Sequence, residues 1–463
     1  MADELGRRAT RHAVVIGGSL AGLLTARVLA EHAEKVTVVE RDRIPEGPEA
    51  RSGVPQARHL HVLISGGQRA LDELLPGFTD ELRELGAPKV GSPRDMLQWQ
   101  GGTWFRRSEE SAFFFSGPRA QLEWLVRQRV LADPRIQLVD GTETVGLVGD
   151  STRVRGIRVR ERGAGADKEP RTLAADLVVD ASGRSTKAAD WLSGIGAEAA
   201  HEETLDTGLA YSTRVYRFAE DGLDTDAIGC NIVPNPGQRY GGVVLPLGDG
   251  RHIVTLSGLR GEKPPTEDGA FEEYAKRLPH SLVSDWLDRA EPVSPVYGFR
   301  NTSNIRRRYD RPGRRPAGFL ATGDALCAFN PVYGQGMAVA AITAVALRRA
   351  LADRKRTPST RRVQRALLDA SRQAWDISAG ADKKMPGATG DAARTGLRDK
   401  VAGWYLARLQ VRAAGDPVVG TPFREATMLA APMSTLFAPA VLRAVLFGPV
   451  TPGPVEPPLR RTV

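Results

Sequence analysis

The first strong pattern along the chain is an apolar run, Ala13-Val14-Val15-Ile16, which breaks at Gly17-Gly18-Ser19 and resumes with helical spacing from Leu20 to His32. A second run, Lys35 to Val39, ends on Glu40. Apolar run, glycine turn, amphipathic stretch and second run predict a βαβ unit with both strands buried. Arg7-Arg8 before the first run also has the outline of a secretory or twin-arginine leader. A leader has no reason to be followed by a helix and a second strand, so a folded unit in a cytoplasmic protein is expected. Further on, Ala175–Asp180 and Gly318–Asp324 read as buried strands, and Arg119–Leu125 and Ala338–Leu351 as helices. Ala210–Arg217, Gly241–Leu247 and His252–Ser257 are too extended for helices.

These elements predict an α/β chain with a Rossmann-like domain assembled from 1–86, 117–200 and 305–350. Two insertions, 87–116 and 201–304, carry the extended runs together with Trp99, Trp104 and Phe113-Phe114-Phe115. Together they are expected to form one antiparallel sheet whose apolar face roofs the site. Residues 351–463 read as a helical region opening after Thr357-Pro358-Ser359-Thr360. Its stretch from Ala426 to Val450 is broken by Pro432, Pro439 and Arg443, short of the ~20 apolar residues of a membrane span. Packing over the substrate cavity is expected there, with at most peripheral membrane contact.

Composition narrows the chemistry. The chain has 463 residues and a net charge of +9, yet only ten of its 64 basic residues are lysine. The densest basic cluster is Arg306-Arg307-Arg308 with Arg311, Arg314 and Arg315, and it lacks the interleaved aromatics of a nucleic-acid stripe. Two cysteines, Cys230 and Cys327, supply neither a disulfide framework nor a zinc site. His59-x-His61 has no third ligand near it, so no metal is expected.

Gly17-x-Ser19-Leu20-Ala21-Gly22 is a variant of the dinucleotide fingerprint. Gly17 permits the tight turn, Gly22 lets helix and strand approach, and Ser19 replaces the middle glycine with a small donor. The helix start directs free N–H groups at a pyrophosphate. Glu40 can accept from both ribose hydroxyls. The fingerprint alone leaves NAD and FAD both open. The second motif, Gly323-Asp324 followed by Phe329-Asn330-Pro331-Val332-Tyr333-Gly334-Gln335-Gly336-Met337, suits a flavin. Asp324 can accept a ribityl hydroxyl, the glycines let backbone lie against a ring, and the next helix points its N-terminus at the pyrimidine edge.

The paired motifs resemble the group A FAD-dependent monooxygenases. Val54-Pro55-Gln56-Ala57-Arg58-His59-Leu60-His61 and the loop 328–337 are similar to the polyene epoxidases of polyether-antibiotic pathways of the monensin and lasalocid type, and through them to squalene epoxidase. The likeness runs from about residue 12 to 350. It implies a fold of the para-hydroxybenzoate hydroxylase and glutathione reductase type, with FAD as cofactor and NAD(P)H as electron donor, directly or through a separate flavin reductase. It further implies that Gly17, Ser19, Leu20, Ala21 and Gly22 cradle the pyrophosphate, Glu40 and Arg41 hold the adenosine end, Arg51 faces the pyrophosphate, and Arg119 lies near the flavin phosphates. Val145 offers backbone to adenine, Asp324 and Met337 hold ribityl and ring, and Pro331, Gly334 and Gly336 shape the ring loop. Ala181-Ser182-Gly183 stands where many relatives carry Ala-Asp-Gly, a departure that bears on NAD(P)H binding. The implied reaction is epoxidation of an alkene in a hydrophobic polyketide or terpenoid by O₂ through a C4a-hydroperoxyflavin, with no protein acid or base as catalyst. Aromatic hydroxylation by the same oxidant and alkene reduction of the geranylgeranyl-reductase kind are the alternatives. Halogenation is disfavoured by the absence of a Trp-x-Trp-x-Ile-Pro run.

Overall fold

A computed structural model describes residues 10–461 except 52, 164–168, 220, 221, 354, 356 and 357; Arg7-Arg8 lies outside the described residues. The elements that build the site are β1 (Thr10–Ile16), α1 (Leu20–Leu29), β2 (Ala33–Val39), α2 (Arg119–Leu131), β3 (Ile136–Val139), β4 (Leu177–Asp180), β5 (Phe319–Ala321), α3 (Gly336–Ala352) and α4 (Thr360–Asp382). The strands form one parallel sheet in the order β5-β4-β1-β2-β3. Val14, Val15, Val36, Val38, Val178, Val179 and Leu320 are buried, because helices cover the sheet on one side and the three-stranded antiparallel sheet of Thr142–Gly149, Val154–Glu161 and Arg171–Ala174 packs against it with Leu147, Val154, Ile157 and Val159. α3 packs on α1 and α4. Its buried Ala338, Ala340, Ala341 and Ala344 are small enough for close helix approach. The helix starts at Gly336, two residues before the apolar pattern does.

The three extended runs pair antiparallel in one sheet, as Ala210–Arg217, Arg251–Gly258 and Tyr240–Gly248, but the two insertions do not together form a single antiparallel sheet. The first insertion divides: Lys89–Ser92 and Ala112–Ser116 pair antiparallel beside Val62–Ile64. Met96–Gln100 and Thr103–Trp104 instead join the larger sheet with Ala210–Arg217, Gly229–Ile232, Tyr240–Gly248 and Arg251–Gly258. Met96–Gln100 runs parallel to Gly229–Ile232, so this sheet is mixed. Side-chain alternation has the same period in either strand direction and cannot report polarity.

The basic cluster serves a strand pair. Asn304–Arg308 lies antiparallel to His201–Leu205; Arg306, Arg308 and Arg311 converge on Glu203, and Arg307 pairs with Glu202. Beyond α4, whose start Ser359 caps through its hydroxyl, helices at Leu397–Ala413, Pro417–Thr427 and Pro439–Phe447 share a small core around Tyr405, Leu409, Val419 and Val445. Among the described residues, no helix is long and apolar enough to cross a membrane.

Candidate functional site

The turn after β1 is fixed by contacts only glycine allows. Gly17 has φ +104°, and a Cβ there would lie 2.5 Å from the Ala181 carbonyl oxygen. A Cβ on Gly22 would lie 1.8 Å from the Gly17 carbonyl oxygen, so α1 rests directly on the turn. Glu40 follows β2 and is buried; its Oε2 accepts the Gly18 N–H at 2.7 Å and its Oε1 the Asp42 N–H at 2.9 Å. Arg41 beside it is exposed.

Arg51 crosses this cradle. Its guanidinium lies 3.0 Å from Glu40, 3.7 Å from Asp42 and 2.7 Å from Glu123, all four side chains being less than a tenth exposed. Glu123 on α2 also accepts from the Ser19 hydroxyl at 2.7 Å. Arg119, one turn earlier, donates to the same hydroxyl at 3.0 Å. Burial pulls the Glu123 carboxyl upward, yet Arg119 and Arg51 outweigh it and hold the group below the usual carboxylate range. Sequence reasoning missed Glu123. It reads there as an ordinary helix acid four residues after Arg119, whereas it joins Ser19, Arg51 and Arg119. Among the described residues, the buried Nε atoms of Arg51 and Arg119 make no hydrogen bond.

The Gly-Asp turn closes on the first. A Cβ on Gly323, φ +57°, would meet the Ala21 methyl at 2.6 Å, so the two motifs touch. The turn is held from behind by Arg307, which donates to the Asp324 and Ala325 carbonyls at 3.1 and 3.2 Å. The half-buried Asp324 carboxylate accepts no hydrogen bond among the described residues and lies near the Arg184 cation. Arg184 itself donates to the Phe329 carbonyl at 2.6 Å and to Ser303, tying the Ala181–Ser185 segment to the loop. Asp180 at the end of β4 takes the Ser182 N–H and hydroxyl and the Thr186 hydroxyl, and burial raises its pKa.

The ring loop continues as a 3₁₀ turn, Pro331–Tyr333, then Gly334 at φ +64°. Pro331 and Gly336 are exposed, and a Cβ on Gly336 would meet nothing within 4 Å. Gln335 is buried with Oε1 unpartnered among the described residues. Met337, Arg119, His61, Leu63 and Phe115 line one cleft. Val145 sits elsewhere, on Thr142–Gly149. Its neighbours Thr144 and Gly146 pair with Val159 and Arg158, leaving Val145 as the extra residue of a bulge with no register partner. Cys327 is buried and its thiol is pushed up to about 12, as inert filler requires.

His59 and His61 part company. His59 bonds the Thr213 hydroxyl at 2.9 Å, while His61 Nδ1 donates to the His59 carbonyl at 3.0 Å and turns Nε2 toward Arg119 at 3.5 Å. Burial, then Arg58, lowers His59 to about 4; burial, then Arg119, lowers His61 to about 3. Because both folded values lie below the unfolded 6.5, the unfolded chain binds more protons under acid conditions. The contribution to stability is full above pH 6.5 and is lost as pH falls toward the folded values. At pH 5 the loss is about 2 kcal/mol per histidine. Denaturant midpoints at pH 7 and pH 5 measure it: the wild type should drop clearly more than the His59→Gln/His61→Gln double variant. Equal drops would refute the assignment.

A flavin dinucleotide fits this donor set. The glycine turn leaves backbone bare, two arginines have unused buried N–H groups, Asp324 offers a free acceptor, and a bulge exposes the Val145 backbone. Arg184, Arg307 and Glu123 brace these groups, and none carries a local sequence signal.

Residues 10–379 match the family model described as FAD binding domain. The chain is 36% identical over 348 residues to Protein Rv3254 of Mycobacterium tuberculosis (strain ATCC 25618 / H37Rv), covering 73% of each. It is 28% identical over 383 residues to 6-methylpretetramide 4-monooxygenase of Streptomyces rimosus, covering 77% of this chain and 83% of that enzyme. It is 23% identical over 346 residues to squalene monooxygenase of Mus musculus, covering 71% of this chain and 52% of that enzyme.

Proposed function

Because the chain belongs to the FAD binding domain family of flavin-dependent monooxygenases and has the para-hydroxybenzoate hydroxylase-type fold, we propose that it epoxidises an alkene of a hydrophobic polyketide or terpenoid intermediate. The observation that carries this reading is the apolar roof. Ile64, Met96, Phe114, Leu245 and Ile253 form one buried cluster with Ala338 of α3, so the mixed sheet lies over the helix that follows the ring loop. Tyr211 stacks on Phe299 at 5.3 Å, and His59 meets both rings edge-on. Such walls select a greasy substrate and exclude water.

Bound FAD supplies the relay of two electrons to O₂ and the activated oxygen atom. The balance is alkene, O₂, NAD(P)H and a proton giving epoxide, NAD(P)⁺ and water. Around the cofactor, Glu40 and Arg41 hold the adenosine end and the Val145 bulge presents backbone to adenine. Arg51, Arg119 and the N-terminus of α1 neutralise the phosphates. Asp324 orients the ribityl chain, and Pro331–Met337 shapes the ring face. No side chain acts as acid or base. The electrons come from NAD(P)H, directly or through a separate reductase, and we place the reaction in the cytoplasm. Similarity to 6-methylpretetramide 4-monooxygenase favours a second reading, hydroxylation of an aromatic polyketide.

The test is turnover of polyene and aromatic polyketide substrates by FAD-loaded protein with NADPH or NADH under ¹⁸O₂. One labelled atom in an epoxide supports the first reading, and one in a phenol supports the second. Unlabelled product that gains two hydrogens without oxygen would overturn both and identify an alkene reductase.

A further inference from the structure

The ring loop is tied to a carboxylate that lies beyond the family match. Asp382 closes α4, three residues past position 379, and is 2% exposed. Its Oδ1 accepts the Tyr333 hydroxyl at 2.7 Å; its Oδ2 accepts the side-chain amides of Asn304 at 2.6 Å and Asn330 at 3.0 Å. Asn304 Oδ1 in turn accepts the Asn330 backbone N–H at 2.8 Å and the Ser378 hydroxyl at 2.6 Å. Asn330 Oδ1 accepts the Val332 N–H at 3.2 Å, capping the 3₁₀ turn. Both ends of that turn, Asn330 and Tyr333, therefore hang from one buried carboxylate.

Three donors converge on Asp382, and among the described residues no cation forms an ion pair with it. A group that only accepts is required at this point. Burial raises its pKa, and the Tyr333, Asn330 and Asn304 bonds oppose that rise.

We propose that Asp382 is a positioning residue for the flavin, holding the Asn330–Gly334 turn in the conformation against which the ring rests. This depends on the flavin-enzyme reading above. It assigns the end of α4 a part in cofactor binding, although no residue of that helix is expected to touch the cofactor. A residue that merely stabilised the fold would lower the stability of the apoprotein and leave the flavin's environment unchanged.

The experiment compares Asp382→Asn, Asp382→Ala and Tyr333→Phe with the wild type. The readouts are FAD dissociation constant, visible circular dichroism of the bound flavin, and melting temperature with and without FAD. Asp382→Asn keeps the shape but turns a donor toward donors. It should weaken FAD binding at least about tenfold and alter the visible dichroism. Tyr333→Phe removes one bond without opening a cavity and should shift both readouts in the same direction by less. If Asp382→Ala does not fold, these two variants carry the test. Lower apoprotein melting temperatures with unchanged FAD affinity and dichroism would overturn the proposal while leaving the flavin-enzyme reading intact. A wild type that binds no FAD would overturn both.

Discussion

Arg51→Ala will cost about 3–5 kcal/mol of stability and abolish retention of FAD, because it leaves buried carboxylates without their shared cation. Glu40, Asp42 and Glu123 surround this guanidinium, and their side chains are 3–8% exposed. Arg119 still reaches Glu123 and Arg162 still reaches Asp42, but Glu40 forms no other ion pair among the described residues. Arg51→Lys restores the charge without the planar fork that spans Glu40 and Glu123, so it should recover only part of the loss. Urea unfolding of the apoproteins and the flavin-to-protein absorbance ratio after purification provide the measurements. A variant within about 1 kcal/mol of the wild type, carrying full flavin, would show that the cradle does not depend on this cation.

The second large effect comes from a single methyl group. Gly22→Ala places a carbon 1.8 Å from the Gly17 carbonyl oxygen, a contact relieved only by moving α1 away from β1. Backbone has no rotamer to yield, so the cost should sit at or above the top of the ~1–3 kcal/mol range for overpacking, with flavin binding lost. Gly336→Ala is the contrast. Its new methyl meets nothing in the protein, and alanine in a helix is favoured over glycine by up to ~1 kcal/mol. Its apoprotein should be as stable as the wild type, while FAD affinity falls because the methyl points where the ring is expected. Calorimetry of both apoproteins and FAD titration separate the cases. Equal stability of the two variants would contradict the packing argument.

What was legible in the sequence is what is local. Gly17, Gly22 and Glu40 announce themselves because strand, turn, helix and strand follow within thirty residues, each with its own period. Gly323-Asp324 and the loop to Met337 are legible for the same reason. The rest depends on contacts between distant residues. Arg307 reads as one of three adjacent arginines, and only the pairing of Asn304–Arg308 with His201–Leu205 singles it out to hold the Asp324 turn. Asp382 lies in a region with no motif, and its role appears only when α4 packs beside the loop. The parallel join of Met96–Gln100 to Gly229–Ile232 belongs to the same class. Alternation marks the strands, and only the tertiary fold sets their direction.

The parallel sheet also fixes when the cofactor can arrive. Its middle strand, β1, is made first, and its outer strand, β5, pairs with β4 from the far side of both insertions. Gly17 and Asp324 leave the ribosome roughly 300 residues apart, an interval of tens of seconds at about 5–20 residues per second. Until then β4 has an open edge and α1 lacks its cover, α3. The nascent chain therefore carries an unfinished, apolar half-domain through most of its synthesis. The proposed FAD site is incomplete at that stage, since Asp324 and the loop to Met337 have not yet been made. FAD is therefore expected to lock only the finished fold, and yield in the cell is expected to depend on how well the half-domain is shielded while the remainder is translated.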